Sequence, residues 1–254
     1  MTPRAWILGA VLVSSALCAA RADAYRPPAR LLLQKAMERQ GERATRTLKV
    51  EAETQLFDAT GTARGPAFGE HLWFQAAGSA RRESELADGT RLELRVDDKQ
   101  LVKQPGQADK GGKAAADLLF DFVTAAPPLD PDRAVERVLR DLKALGVSPE
   151  VVSFARFDGR ISNLIGSKPW EKDKPQLWLD KDTLLVTRVL MVQKGDGGAI
   201  QRTDVRYLGW GSPIGGVWFP ASVEVWVDDK LVRRTSVASV DRNVAFDATL
   251  FQLK

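Results

Sequence analysis

The sequence predicts an α+β protein: a large, curved antiparallel sheet with helices packed on one face. Three observations carry this. From residue 174 onward the chain reads KPQLWLDKDTLLVTRVLMVQ, IQRTDVRYLGW, GVWFPASVEVWVDDKLVRRTSVASV and FDATLFQLK. These are short apolar-alternating runs parted by turn residues, as hairpins of one sheet require. The same two-residue period runs through the region 47–103. Stretches of helical period stand apart from the strands, at the start and at about 114–146, and segregated helices argue α+β.

The first residues read as an export signal. Arg4 supplies a positive charge, WILGAVLVSSAL from Trp6 to Leu17 is apolar but short for a membrane span, and Ala22-Asp23-Ala24 offers a small-residue cleavage site. Residues 1–24 are therefore expected to be a signal peptide and residues 25–254 a single domain. Ala20-Arg21-Ala22 is a second cleavage possibility. Cys18 is the only cysteine. Leu17 precedes it where a lipobox wants a small residue, so the lipidation motif is poorly matched. Cleavage at Ala24 leaves no thiol for a disulfide, a metal site or a nucleophile.

Beyond Pro27-Pro28, Ala29, Leu32, Leu33, Ala36 and Met37 fall at helical spacing, with Gly41 as the expected C-cap. Leu48, Val50, Ala52 and Leu56 then alternate with Lys49, Glu51, Glu53 and Gln55, a half-buried strand. Phe68, Leu72 and Phe74 repeat the pattern. A polar strand at residues 79–86 turns at Asp88-Gly89 into Leu92, Leu94 and Val96, and a short strand around Leu101 follows. QPGQADKGGK is turn-rich and reads as a mobile loop. A helix is expected through Ala115, Leu118, Leu119 and Phe122. A second has Asp130 as N-cap, Pro131 in its first turn, and a stripe of Val135, Val138, Leu139, Leu142 and Leu145 ended by Gly146. Strands resume at residues 151–157, turn at Asp158-Gly159, return through residues 161–165 and pass into the final meander.

Composition excludes several classes. Lys and Arg number 37 against 33 Asp and Glu, for a net charge of +4, and the two signs alternate along the strands, so no basic stripe marks a nucleic-acid site. His71, the only histidine, lies on the polar face of its strand with no His or Cys partner for a metal. GSPIGG breaks the nucleophile-elbow order. Gly106, Gly111 and Lys113 miss phosphate-loop spacing by one residue, and Ala114 stands where a Ser or Thr would hold magnesium. Asp97-Asp98, Asp228-Asp229 and Asp180-Lys181-Asp182 read as turn caps without a calcium loop's Gly and distal Glu. The twice-occurring VDDK is a recurring turn. No catalytic residue, metal site or cofactor is expected.

The apolar inventory says more. Leu48, Val50, Leu72, Phe74, Leu92 and Leu94 from the early strands, Leu118, Leu119 and Phe122 from the helical insert, and Leu177, Leu179, Leu190, Val192, Tyr207, Val223 and Val225 from the late strands are assigned to one face. They either form plain core beneath the helices or line a cavity for an acyl chain with the insert as its lid. Trp178, Trp218 and Trp226 are assigned to the opposite face, as an interface patch or an ordinary outer surface.

IGSKPWEKDKPQLWLDKDTLLVTRV, DVRYLGW, GVWFPASVEVWVDDKLVRR and FDATLF resemble the LolA-like superfamily of outer-membrane lipoprotein-sorting proteins. The resemblance rests on Trp178, Leu179, Asp180 and Lys181, then Arg188, then Gly216 to Pro220, Asp228 to Leu231, and Leu250-Phe251, and covers the C-terminal half. It implies an incomplete barrel plugged by helices, a periplasmic location, and an apolar cavity that shields lipoprotein acyl chains. It further implies a monomer that exchanges cargo with a membrane-bound donor or acceptor protein and uses no nucleic acid. The same fold serves sensors and protein-interaction modules, for which Trp178 and Trp226 would be the functional face. An early-strand arginine that holds the lid is also implied, with Arg81 and Arg82 as candidates.

Overall fold

The structure, a computed structural model, describes residues 27–43, 45–76, 78–125, 130–194, 198–247 and 249–253. The expected signal peptide lies outside them. Thirteen strands form one antiparallel sheet: β1 (Thr47–Leu56), β2 (Phe68–Gln75), β3 (Ser79–Leu86), β4 (Gly89–Val96), β5 (Lys99–Lys103), β6 (Lys110–Lys113), β7 (Val152–Phe157), β8 (Arg160–Ile165), β9 (Gln176–Asp180), β10 (Val186–Lys194), β11 (Ile200–Leu208), β12 (Ser222–Val227) and β13 (Lys230–Arg242). Their order is β6-β5-β4-β3-β2-β1-β13-β12-β11-β10-β9-β8-β7. Each half of the chain is a meander, and the pairing of β1 with β13 joins the halves. The end strands β6 and β7 are not paired with each other, so the barrel is incomplete, as expected.

Three helices cover one face: α1 (Ala29–Glu42), α2 (Leu118–Val123) and α3 (Pro131–Ala144). Helix α1 buries the stripe Ala29, Leu32, Leu33, Ala36 and Met37. Helix α3 buries Ala134, Val135, Val138 and Leu142. Both stripes follow the three-to-four-residue period of a helix resting on a sheet. Asp130 accepts from the Asp132 N–H to cap α3, and Gly146 leaves it at φ +75°, as the sequence indicates. The helical stripes share one core with Leu48, Val50, Leu72, Phe74, Leu177, Leu179 and Val189.

Four expectations are corrected. Helix α1 runs through Gly41 and ends at the Arg43 cap. Helix α2 begins at Leu118, not Ala115, because the Asp117 side chain accepts from the Phe120 N–H and starts the helix there. The glycine-rich run contains β6, which pairs with β5 and forms one sheet edge. The described residues of the closing FDATLFQLK form no strand. Asp247 caps the Thr249 N–H in a turn, and Phe246 and Phe251 pack together.

At the β8 exit, Gly166 sits at φ +111°, and a Cβ there would fall 2.5 Å from the Pro175 carbonyl oxygen and 2.8 Å from Val147 Cγ1. Backbone cannot yield as a side chain can, so Gly166→Ala is expected to cost more than about 1 kcal/mol, measurable as a lower urea midpoint with an unchanged slope.

Candidate functional site

Register decides which side chains share the helix-covered face, because directly paired residues project to the same side. Across β1, β2, β3 and β4 three rows result. The first is Leu48, Phe74, Ala80 and Arg95; the second Val50, Leu72, Arg82 and Glu93; the third Ala52, Glu70, Ser84 and Arg91. Along β2 and β3 the inner face thus passes from Phe74, Leu72 and Ala80 to Glu70, Arg82 and Ser84 as it leaves the helices, while β1 stays apolar and β4 is charged throughout. On the other side of β1 the inner face carries Val189, Val205, Val225 and Arg233 in one row, and Tyr207, Val223 and Thr235 in the next.

These rows and helix α2 enclose a cavity of about 370 Å³, within the range of small-molecule sites. Of the residues the sequence nominates, Leu72, Phe74, Leu118, Leu119, Tyr207, Val223 and Val225 border it from the inner face. Leu48, Val50, Phe122, Leu177 and Leu179 are buried in the core beside it. Leu190 and Val192 pair with Asp204 and Arg202 and belong to the outer face, while Val189 and Met191 take the cavity positions. The run VLMV is apolar on both faces, so alternation alone could not choose between them. Leu92 pairs with Glu83 on the outer face. Leu94 also has outer-face partners, Arg81 and Leu101. The naive reading of RLELRV is therefore inverted, with the arginines and glutamate inside.

Alternation also missed the charged lining: Glu70, Arg81, Arg82, Glu93, Arg95, Asp117 and Arg233. Glu70 is only 2% exposed. Its carboxylate accepts from Thr54 Oγ1 (2.7 Å), Ser84 Oγ (2.9 Å) and Arg233 (2.6 and 2.7 Å). Burial alone would raise its pKa, but Arg233, Arg82 and the two hydroxyls outweigh burial and hold the group below the usual carboxylate range.

A second cluster ties α2 to its surroundings. The Arg95 guanidinium lies 3.8 Å from the Phe120 ring centroid and donates to the Ala115 carbonyl at 3.0 Å. Its Nη2 stands 3.7 Å from both Asp121 and Asp141. Arg137 of α3 reaches the same Asp121 with Nε at 2.9 Å and donates to Thr124 Oγ1. Asp121 is fully buried, and that burial pushes its carboxyl well above the usual range against the pull of Arg137, with Asp141 adding to the rise. Of the candidate arginines, Arg81 donates to the Leu250 carbonyl and Arg82 borders the cavity. The early-strand contact to α2 falls to Arg95.

On the outer face, His71 bridges Glu51 and Glu85, and the hydrogen bond to Glu85 raises its pKa most. Trp178 and Trp226 lie on this face as expected, beneath Arg188 and Arg206 at 5.1 and 4.3 Å. Trp218 does not. It sits outside any strand in the turn before Pro220 and packs against the main core.

An open antiparallel sheet with helices over a cavity is also the fold of solved structures, LolA superfamily proteins among them. A LolA superfamily protein from Nitrosomonas europaea aligns over 89% of this chain and 98% of its own at 12% identity and TM-score 0.53. An outer membrane lipoprotein-sorting protein domain from Vibrio parahaemolyticus aligns over 87% and 95% at 12% identity and TM-score 0.53. A DUF1329 family protein from Desulfovibrio piger aligns over 90% and 98% at 14% identity and TM-score 0.55. At such identities the likeness is one of fold, and the fold is the one the sequence motifs resemble. No protein-family model and no curated protein matches the sequence.

Removing one partner of a buried ion pair costs about 3–5 kcal/mol. The Arg233 side chain is 29% open, so Glu70→Ala is expected at the low end, about 3 kcal/mol, by urea unfolding at pH 7. Because the folded-state pKa of Glu70 is depressed, its stabilisation is present above the unfolded-state pKa and is lost as pH falls through the folded value. The stability gap between wild type and Glu70→Gln should therefore shrink below about pH 4. Arg95→Ala should speed amide hydrogen exchange in residues 118–123 while leaving α1 unchanged, as local opening of α2 requires.

Proposed function

We propose that the protein is a periplasmic carrier or binding protein that shields the acyl chain of a lipid or lipoprotein. The observation that carries this reading is the cavity between sheet and helices, whose apolar walls come from β2, β10, β11, β12 and α2. Burial of an acyl chain against such walls contributes about 0.8 kcal/mol per methylene. The six-residue α2 covers the cavity and is held by side-chain contacts from β4 and α3, so it is the element that would move on loading. The reading contains no chemical step and assigns no catalytic residue. Export by the expected signal peptide, exchange with a membrane-bound donor or acceptor, and action as a monomer belong to the same proposal. Neighbours of the fold named for lipoprotein sorting support it at the level of class.

The outer-face tryptophans favour this reading over a sensor that binds through them. Trp178 is only 6% exposed, and arginines lie over both rings.

Protein isolated from a periplasmic extract should release lipid on solvent extraction, and the delipidated protein should bind 1-N-phenylnaphthylamine saturably. Val223→Trp fills cavity space. If it excludes two methylenes' worth of burial, about 1.6 kcal/mol, affinity for the dye falls about tenfold. Absence of both extractable lipid and a saturable site would overturn the proposal.

A further inference from the structure

The inner face carries a guanidinium that the protein pairs only loosely. Arg82, Arg91 and Arg233 stand beside Glu70 and Glu93, while of the other charged residues bordering the cavity Arg81 is held by Glu83 and Arg95 is turned to Asp121 and Asp141, and Asp117 caps helix α2. Arg233 is engaged by Glu70. Arg91 holds Glu93 at 2.5 Å. Arg82 is left over. Its nearest carboxylate oxygen, on Glu93, is 3.7 Å away, and its Nε is buried without a partner. Among the described residues the Arg82 side chain, 35% exposed, makes no hydrogen bond, and it borders the cavity beside apolar Leu72 and the Glu70–Arg233 pair.

We propose that Arg82, with Arg233 beside it, is the seat for a single anionic head group of an amphiphile whose chain lies against Leu72, Val205 and Val223. This rests on the acyl-binding reading above and narrows it to a class of ligand: one chain bearing one negative charge, as a carboxylate or a phosphodiester. A guanidinium presents donors in a planar fork that matches either anion. A single loosely paired guanidinium suits a monoanion, since the second charge of a dianion would face Glu70, Glu93 and Asp117 on the same cavity wall. The polar atoms at this end would otherwise face a wholly apolar chain, and burial without a partner is costly.

The test compares palmitate, a lysophosphatidylglycerol carrying a palmitoyl chain, and hexadecanol on the delipidated mature protein by calorimetry at pH 8. At least one of the two anions should bind about tenfold tighter than the alcohol, the size of one charge-assisted hydrogen bond. Arg82→Gln should abolish that advantage while leaving hexadecanol unchanged, and Arg82→Lys should restore part of it. A preference for one anion alone identifies the source of the head group and supports the inference. Equal affinity of wild type for acid and alcohol, or an advantage that survives Arg82→Gln, overturns the head-group inference and leaves the acyl cavity standing. Binding of none of the three overturns both. The wild-type comparison needs no variant, so a misfolded Arg82→Gln does not protect the idea.

Discussion

The burial of one carboxylate fixes much of this sheet. Glu70 on β2 cannot sit at 2% exposure unless its oxygens are met from every side. The partners that meet them come from β1 (Thr54), β3 (Ser84) and β13 (Arg233), and Thr235 of β13 stands 2.7 Å from Thr54. Four adjacent strands are thereby held at one register. That register matters because the β1–β13 pair is where the two meanders join. A one-residue slip would send every inner side chain to the outer face and leave the carboxylate without its cation. The β-bulge between Glu51 and Ala52 lies just beside the Glu70 cluster, and the pairing must recover from it before Thr54 can face Thr235.

From that register the two characters of the cavity follow. Near the helices the inner rows present Leu48, Phe74 and Ala80, which α1, α2 and α3 can cover without a desolvation penalty. Arg95 is the exception in that row. It is tolerated because its guanidinium stacks on Phe120 and donates to the Ala115 carbonyl. The cation that faces the helices therefore also attaches α2, so α2 is connected to the sheet by polar contacts in addition to its packed apolar side.

The sequence made the strands legible because β1, β2 and β12 have one polar and one apolar side, and hairpin turns such as Asp158-Gly159 are written in residues that tolerate positive φ. Helix α3 was legible from its cap, its stripe and its terminal glycine. Sidedness was not legible wherever the pattern was symmetrical or inverted. Strand β10 is apolar on both sides, so Leu190 and Val192 were placed on the wrong face. Strand β4 alternates cleanly, yet its charged residues point inward because pairing with β3 in the register set by β2 puts Glu93 opposite Arg82. Alternation reports that two faces differ; it cannot report which face is covered when the covered one is charged. That is a tertiary fact, and it hid the whole polar half of the site.

Stability alone gives no reason for that polar half. A buried ion pair returns little beyond what an apolar pair of equal volume would, and often less. Arg82 adds to that cost at its Nε, which is buried without a hydrogen-bonded partner, while the side chain as a whole stays 35% exposed. A fold that needed only a packed core could place leucine at 82 and 93 and join those positions to the adjacent Leu72 and Val50. A guanidinium whose Nε has no partner on the wall of a cavity is a cost in the empty protein, and on the proposed reading an anionic ligand would remove it. On the same reading the apolar walls would set how much chain the cavity holds, and the charged rows which end of the ligand enters where.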